Sequence, residues 1–213
     1  MTIRKPAPFV ANHKDQMHCS QAVFRMLFKY FFDEDLTWEE IDEITKTIPG
    51  KASWTMAAHM VLAKRGVEVV NIEPFDYQRF YDEGADYLRN NFGEETARYY
   101  LEKSNLLSVK DDIPKFLSTV HHETKRATIE DIAHFLKESY LVGAEINSRI
   151  LNRREGFSLH YVLLVGCEND SLIIHDPGPP PLESRKVPKD EFLKAFAFEG
   201  ANGEVTAFKL KQQ

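Results

Sequence analysis

The sequence predicts an α+β fold in which a helical segment precedes an antiparallel sheet. Residues up to about 137 show helical periodicity and helix-start signals, whereas the residues from about 140 onward contain the apolar, β-branched runs of strands. Helices followed by strands favour this class over alternating βα units. We therefore expect one domain over 1–213, with a helical lobe at about 12–137 and a β lobe at about 138–213.

The composition indicates a globular chain with no polyanionic partner. Hydrophobic residues make up 43% of 213 residues, and 27 basic against 33 acidic residues give a net charge of −6, which does not favour nucleic acid or anionic membranes. No stretch is long and apolar enough for a membrane span, and the N-terminus does not resemble a secretory signal. With only two cysteines, we expect free thiols in a reducing, cytoplasmic setting and no cofactor. The sequence leaves the oligomeric state open.

The most apolar stretch runs from Gln16 to Phe32, QMHCSQAVFRMLFKYFF. Its hydrophobic residues recur at the i, i+3, i+4, i+7 spacing of a buried helical face, so we predict a helix through the centre of the domain. Cys19 falls in its first turn, where unpaired backbone N–H groups and the helix dipole favour an anion. A thiolate is the nucleophilic form of cysteine, which makes Cys19 a candidate catalytic residue.

Capping and breaking signals predict the next elements. Thr37-Trp38-Glu39-Glu40 has the form of a capping box and opens a second helix that we expect to stop near Pro49-Gly50. A third helix, WTMAAHMVLAKR, is predicted from a cap at Ser53 to a stop at Gly66. The β-branched run VEVVNI at 67–72 then predicts a short strand.

Residues 73–122 are dense in aromatic and acidic residues, and we predict an inserted block of several short helices. Gly84 and Gly93 are the expected breaks between them. His121-His122 is expected to be an exposed helix end. A further helix is predicted from Thr128 to about residue 137.

The last third of the chain changes to the texture of strands. Its runs are apolar and β-branched, and a proline-rich segment between them predicts a rigid turn. We predict strands at 140–147, 159–167, 172–176 and 204–211, the turn at 176–181, and a short helix at 187–197 that begins at Pro188.

The two longest of these strands place a base and an acid near each other. If 168–170 form the connecting loop, residues whose numbers sum to 338 oppose each other, and Val162 faces Asp176. His160 then lies one diagonal step from Asp176 on the same face, within reach of an imidazole and a carboxylate. An acid beside a histidine orients the ring and stabilises its cationic form. Cys19, His160 and Asp176 thus form a candidate site for nucleophilic catalysis.

Simpler roles exist for each residue taken alone. Most lone cysteines are small buried hydrophobes, as we expect for Cys167, and an aspartate before proline is a common turn former. His18 and Cys19 together with His160 and Asp176 offer zinc-ligand atoms. We expect no metal there, because no CxxC or HExxH spacing accompanies them.

The motifs QMHCSQA, HYVLLVG and IIHDPG resemble those of papain-like cysteine peptidases, most of all the branch that processes bacteriocin leaders and its stand-alone relatives. In that branch a glutamine precedes a Cys-Gly at a helix start, a strand beginning His-Tyr-Val follows, and a later strand ends in Asp-Pro. The resemblance covers the first helix region and residues 140–178. It implies a two-lobed papain-like fold, with a central cysteine-bearing helix packed on the sheet.

The resemblance also implies the roles of the site residues. Cys19 would be the nucleophile, His160 the general base and acid, and Asp176 the residue that orients His160. Ser20 stands where the family usually has glycine. The oxyanion glutamine usually lies six residues before the cysteine, where this chain has His13, so Gln16 is the preferred candidate and His13 or the Cys19 backbone N–H the alternatives.

The function that these roles imply is hydrolysis of a peptide or amide bond through a thioester. An acyltransferase or transpeptidase would use the same site with an amine as the acceptor. A binding module that keeps the fold with an idle cysteine belongs to a different class of protein and is the remaining alternative.

Overall fold

The computed structural model describes residues 2–198 and 203–211. Helices dominate up to residue 137 and strands after it, which confirms the predicted α+β class. In chain order the elements are β1 (Thr2–Arg4), α1 (Cys19–Phe32), α2 (Trp38–Thr45), α3 (Met56–Lys64), β2 (Val67–Glu73), α4 (Tyr77–Glu83), α5 (Ala85–Lys103), α6 (Leu106–Val109), α7 (Ile113–Thr119), β3 (His121–Thr124), α8 (Ile129–Lys137), β4 (Leu141–Asn147), α9 (Ser148–Leu151), β5 (Leu159–Glu168), β6 (Ser171–Asp176), β7 (Leu182–Pro188), α10 (Lys189–Phe196) and β8 (Val205–Leu210).

The strands form a single sheet in the order β3-β2-β8-β4-β5-β6-β7, with β1 paired to β5. The described pairs are antiparallel, as predicted, except that β2 and β3 run parallel. Two hydrophobic clusters cover the two faces of the sheet. The first contains α1 and the helices up to α7, and the second contains α8 and α10. Because β2 and β3 come from the segment before residue 137, the two predicted lobes share this sheet, and their boundary stays a prediction.

Helix α1 lies at the centre of the first cluster, as its apolar pattern predicts. Phe24, Met26 and Leu27 have no exposed surface, and Phe28 is 1% exposed. Burying large apolar side chains of this kind contributes about 1.5–3 kcal/mol each to folding. The core therefore fixes the position of the helix that carries Cys19. In the described part of the chain, no helix is both long and apolar enough to cross a bilayer.

Local signals are confirmed at some helix ends and wrong at others. Thr37 and Glu40 form the predicted capping box, but α2 stops at Thr45 because Lys46 adopts a left-handed conformation with φ 52°. The cap predicted at Ser53 is wrong, since Thr55 precedes α3 and the Ser53 hydroxyl accepts a hydrogen bond from another helix instead.

The aromatic block contains the predicted short helices, and both predicted glycine breaks are confirmed. Gly84 separates α4 from α5, and Gly93 interrupts α5 with φ 80°. The expected helix end at His121-His122 is wrong. These residues form β3 beside β2, and the His122 ring bonds to Asn71 at 2.7 Å.

The hairpin of β5 and β6 has the predicted register near the site, but its loop is shorter than predicted and a bulge compensates for the difference. The connecting loop has two residues rather than three, because Glu168 pairs with Ser171 and the sum of paired numbers is 339. A bulge between Leu164 and Gly166 then restores the sum of 338, so that Leu163 pairs with His175. Asp176 therefore lies where the sequence predicted it.

Candidate active site

Cys19 is the first residue of α1 and lies partly buried at the mouth of a cleft between that helix and β5. A cavity of about 190 Å³ opens beside it, lined also by Gln16 and His160. The two predicted groups from distant parts of the chain therefore meet in one place. Ser20 lines the same cavity, and its hydroxyl donates to Gln21 Oε1 at 2.9 Å.

His160 and Asp176 form the pair that the sheet register predicts. His160 Nε2 donates to Asp176 Oδ1 at 2.7 Å, and both side chains are buried. The Nδ1 atom is not used in that bond, and the His160 ring interacts with Cys19, which lines the same cavity. Sulfur, imidazole and carboxylate are thus grouped at one site.

Asp176 is held by two further donors that sequence reasoning missed. Gly178 N donates to Oδ1 at 3.0 Å, and Arg185 Nη1 donates to Oδ2 at 2.9 Å. Arg185 is fixed in turn by Asn152 Oδ1 at 2.9 Å and by the Leu151 carbonyl. A carboxylate with these partners is kept ionised and in one rotamer. Sequence reasoning missed Arg185 because it lies on β7, a mostly exposed strand in which it is one of three charged residues.

The charges of the site support one another. Burial raises the pKa of the Cys19 thiol. Its interaction with His160 and the His160 charge lower that pKa by more than burial raises it, so the net pKa lies below the ordinary value. Burial lowers the pKa of His160, whereas its hydrogen bonds to Asp176 and Cys19 raise it to about 10. Burial raises the pKa of Asp176, but His160, Gly178 and Arg185 bring it below its ordinary value. The interaction between Cys19 and His160 therefore favours the thiolate of Cys19 and the imidazolium of His160 over their neutral forms.

The loop before Cys19 is tied to the turn after Asp176. Asn12 accepts a hydrogen bond from His18 N at 3.0 Å and donates from Nδ2 to the Gly178 carbonyl at 3.2 Å. Its own N–H bonds to Pro177 O at 2.9 Å. Asn12 thus fixes the start of α1 relative to the segment that carries the carboxylate. Sequence reasoning missed it, because nothing local distinguishes this asparagine from a surface residue.

The two candidates for the oxyanion glutamine position lie in different places. Gln16 is exposed, adopts φ 63° in a tight turn and lines the cavity beside Cys19. His13 lies instead among the rings of His18 and Trp38, with centroid distances of 5.1 and 5.2 Å. It lines a separate cavity of about 300 Å³. Of the two, Gln16 is the one that lines the same cavity as Cys19.

Among the described residues, His13, Asp15 and His18 bring three metal-ligand atoms within 4.8 Å of one another. The His18 ring bonds to Asp15 Oδ1 at 2.9 Å and to Asp42 Oδ2 at 3.3 Å. Both ring nitrogens of His18 are therefore engaged away from the sulfur. The zinc set considered from sequence, which joins His18 to Cys19, does not share one centre in this arrangement.

No protein-family model matches the sequence, and no curated protein matches it. Among solved structures, the chain is similar to the peptidase domain of Streptococcus ComA, a bifunctional ABC transporter involved in a quorum-sensing pathway. That match has a TM-score of 0.51 and 14% identity, covering 96% of this chain and 99% of that chain. A double glycine motif protease from an AMS/PCAT transporter, solved with its leader peptide, gives a TM-score of 0.49 and 13% identity over 99% of both chains. A C39-like peptidase from Bacillus anthracis gives 0.30 and 17% over 40% of this chain and 49% of that chain.

The likeness to the ComA peptidase domain shows the fold. The chain has the papain-like α+β fold of this peptidase domain, which confirms at the level of fold the resemblance predicted from three short motifs. The alignment covers 96% of this chain.

Replacing Arg185 with glutamine is expected to lower kcat with little change in KM. The expected loss is about ten- to a hundredfold, the range found when an outer partner of a site residue is removed. The physical reason is that Asp176 loses the cation that holds it, so His160 is less well oriented. Steady-state kinetics on any cleaved amide checks this.

The matched control is Lys186→Gln, which removes a charge from the next residue of β7, whose side chain is 56% exposed. Arg185→Lys should recover part of kcat, because it restores the charge without the planar fork. Equal losses in the glutamine variants of both positions would show that Arg185 has no positioning role.

Proposed function

We propose that this protein is a cysteine peptidase or amidase that cleaves a peptide or amide bond through a thioester on Cys19. The observation that carries the proposal is the grouping of Cys19, His160 and Asp176: Cys19 and His160 line one cavity, and His160 Nε2 lies 2.7 Å from Asp176 Oδ1. Geometry of this kind fits the roles of nucleophile, acid–base and orienting group. The peptidase fold of the aligned ComA domain agrees with it.

The chemistry follows from the resting charges. The Cys19 thiolate attacks the carbonyl carbon, and a C–S bond forms while the carbonyl oxygen becomes an oxyanion. His160 gives its Nδ1 proton to the leaving nitrogen, so the C–N bond breaks and an amine departs. His160, now neutral, takes a proton from water as that water attacks the thioester. The free acid leaves and the thiolate–imidazolium pair is restored.

Gln16 supports the oxyanion in this scheme, together with the backbone N–H of Cys19 at the start of α1. Gln16→Ala is therefore expected to lower kcat by about 10²-fold, the lower end of the effect of one lost oxyanion donor. His13→Ala is the matched comparison, because the family position falls on His13 but its ring lies in another cavity. A larger loss of kcat for His13→Ala than for Gln16→Ala would reverse the assignment.

The proposal is tested by trapping the thioester. The protein is mixed with a set of short peptides, quenched with acid within milliseconds to seconds, and the Cys19 peptide is read by intact and tryptic mass spectrometry. An acyl adduct on Cys19 that decays to free acid is expected. If no peptide in the set gives an adduct or a cleavage product, the alternative of an idle binding module is preferred.

The same experiment separates hydrolysis from acyl transfer. Increasing concentrations of a simple amine such as glycinamide compete with water for the thioester. Free acid as the main product at every amine concentration supports the hydrolase, whereas amide product that dominates at low millimolar amine supports the acyltransferase.

Both cysteines are free, in keeping with action in the reducing cytoplasm.

A further inference from the structure

The sheet face beneath α1 carries a row of buried polar groups next to the site. Glu145 pairs with Tyr161 across β4 and β5, and Thr206 pairs with both Asn71 and Gly143 across β8. These positions and their neighbours two residues along each strand share one face, because side chains alternate along a strand. Three carboxylates end up within it: Glu73, Glu145 and Glu204, which are 2%, 9% and 7% exposed.

The carboxylates are reached from the cleft that holds Cys19. Glu145 and Glu204 line the cavity of about 190 Å³ together with Cys19 and His160. All three carboxylates line a smaller space of about 60 Å³ that adjoins it. A cavity of about 190 Å³ is below the usual range for drug-sized ligands, which begins at about 300 Å³. It suits one side chain or end group of a larger substrate.

Two of these carboxylates have hydrogen bonds but no counter-charge. Glu204 Oε1 accepts from Thr55 Oγ1 at 3.1 Å, and Glu73 Oε1 accepts from Tyr77 Oη at 2.7 Å. Within residues 2–198 and 203–211, no lysine, arginine or histidine forms an ion pair with Glu73 or Glu204. Burial and neighbouring carboxylates raise the pKa of Glu73 to about 8 and that of Glu204 well above its ordinary value. Buried acids without a cation are costly to ionise, so Glu73 and Glu204 on their own favour the protonated form, and a cation bound beside them would lower their pKa and stabilise the carboxylates.

A further polar atom lies among them with no hydrogen bond. The Tyr161 hydroxyl is buried, makes no hydrogen bond, and belongs to a side chain that lines the same cavity. Burial raises the pKa of Tyr161, the charges of Glu204, Glu73 and Glu145 raise it further, and the neighbouring Thr206 hydroxyl opposes the shift. A Cβ atom on Gly143 would lie 2.3 Å from Tyr161 Oη, so the glycine leaves the space that the hydroxyl needs. The phenol oxygen offers a further acceptor to an N–H donor.

We propose that this acidic floor, formed by Glu73, Glu145, Glu204 and Tyr161, binds a cationic group of the substrate, an alkylammonium or guanidinium, beside Cys19. A bound cation supplies the counter-charge that the two glutamates lack, and its N–H groups match the carboxylate and phenol oxygens. That the cation belongs to a substrate depends on the proposed function. That the acidic floor binds a cation is argued only from the four residues that form it.

The first test needs no enzyme activity. Three methanethiosulfonate reagents of similar size are compared at Cys19: 2-aminoethyl, which is cationic; 2-sulfonatoethyl, which is anionic; and neutral methyl. Each rate is divided by the rate with 2-mercaptoethanol, and the Cys19 peptide is followed by mass spectrometry so that Cys167 does not interfere. Because the His160 charge alone would favour the anion, a cationic preference of about tenfold or more is the expected result. A ratio of one or less overturns the proposal.

Variants identify the source of that preference. Glu145→Gln and Glu204→Gln keep the size of the side chain and remove the carboxyl group that ionises beside a bound cation, and each is expected to lower the cation-to-neutral ratio at least about threefold. Glu155→Gln, at an exposed position, is the matched control and should leave the ratio unchanged. If the control variant and the floor variants give the same ratio, the floor does not bind cations. The wild-type comparison still decides the question if a floor variant fails to fold.

A second arm addresses the substrate. For any peptide that the protein cleaves, a lysine next to the scissile bond is exchanged for norleucine, which has a similar stem without the charge. We expect kcat/KM to be about tenfold higher for the lysine peptide at whichever flanking position faces the floor. Cleavage with no preference at either flanking position refutes the cationic floor and leaves the proposed function intact. A preference for the cationic reagent without cleavage of any peptide supports the cationic floor and refutes the proposed function.

Discussion

Alanine in place of Cys19 is expected to lower amide hydrolysis by roughly 10⁴-fold or more, the scale of loss when a hydrolase nucleophile is removed. The reason is that no thioester forms and the remaining groups only hold the substrate. His160→Ala should cost nearly as much, because the sulfur then loses the cation that keeps it ionised. The double variant should be no slower than either single variant, since the two residues act as one unit. Rates are measured on the best peptide found by thioester trapping.

Cys167→Ala is the matched control for this experiment. Cys167 is also a free, partly buried thiol, but it lies on β5 opposite Leu172 and away from the cleft. Its removal should leave the rate within about twofold of wild type, in keeping with a role in packing alone. Full activity in the Cys19 variant would contradict the proposed nucleophile, and a loss confined to the Cys167 variant would reassign it.

Phe24→Ala is expected to lower the free energy of unfolding by about 3–5 kcal/mol, the usual cost of deleting a fully buried phenylalanine. Phe24 has no exposed surface, and its ring contacts His59, Tyr161 and Phe208 at centroid distances of 5.6, 6.3 and 6.5 Å. It therefore joins α1 to α3 and to two strands of the sheet. Urea denaturation followed by circular dichroism gives the difference from wild type.

Phe157→Ala is the matched control for stability. Phe157 is 46% exposed, so its removal should cost less than about 1 kcal/mol. If the two variants lose the same free energy, α1 is not the helix around which the core is built.

The parts of the fold that could be predicted are those with strong local signals. The apolar period of α1, the capping box at Thr37 and the helix start at Thr128 depend on neighbours a few residues apart, and the structure has a capping box at each of these threonines. The strands β1, β3 and β7 were missed. β1 has three residues, β3 was predicted as a helix end, and β7 reads LESRKVP, a charged pattern that becomes a strand only beside β6. Tertiary pairing decides such segments, so a local pattern does not reveal them.

In the candidate site too, the residues with local signals were predicted and those that depend on tertiary contacts were missed. Cys19, His160 and Asp176 were proposed from a helix start and a hairpin register, and the structure brings them together. Asn12 and Arg185 were missed because their importance lies in hydrogen bonds to residues more than 160 positions away or on another strand. The row of buried glutamates was missed because it joins three strands whose order in the sheet differs from their order in the chain.

The central claim is that His160 holds Cys19 as a thiolate, and the pH dependence of Cys19 alkylation by iodoacetamide tests it most directly. A free thiol titrates near pH 8.5. Since the pKa of Cys19 is lowered by His160, alkylation should reach half its maximum at a lower pH. His160→Ala should move that midpoint upward, because burial alone raises the thiol pKa. A wild-type midpoint at or above pH 8.5, unchanged by His160→Ala, would contradict the account.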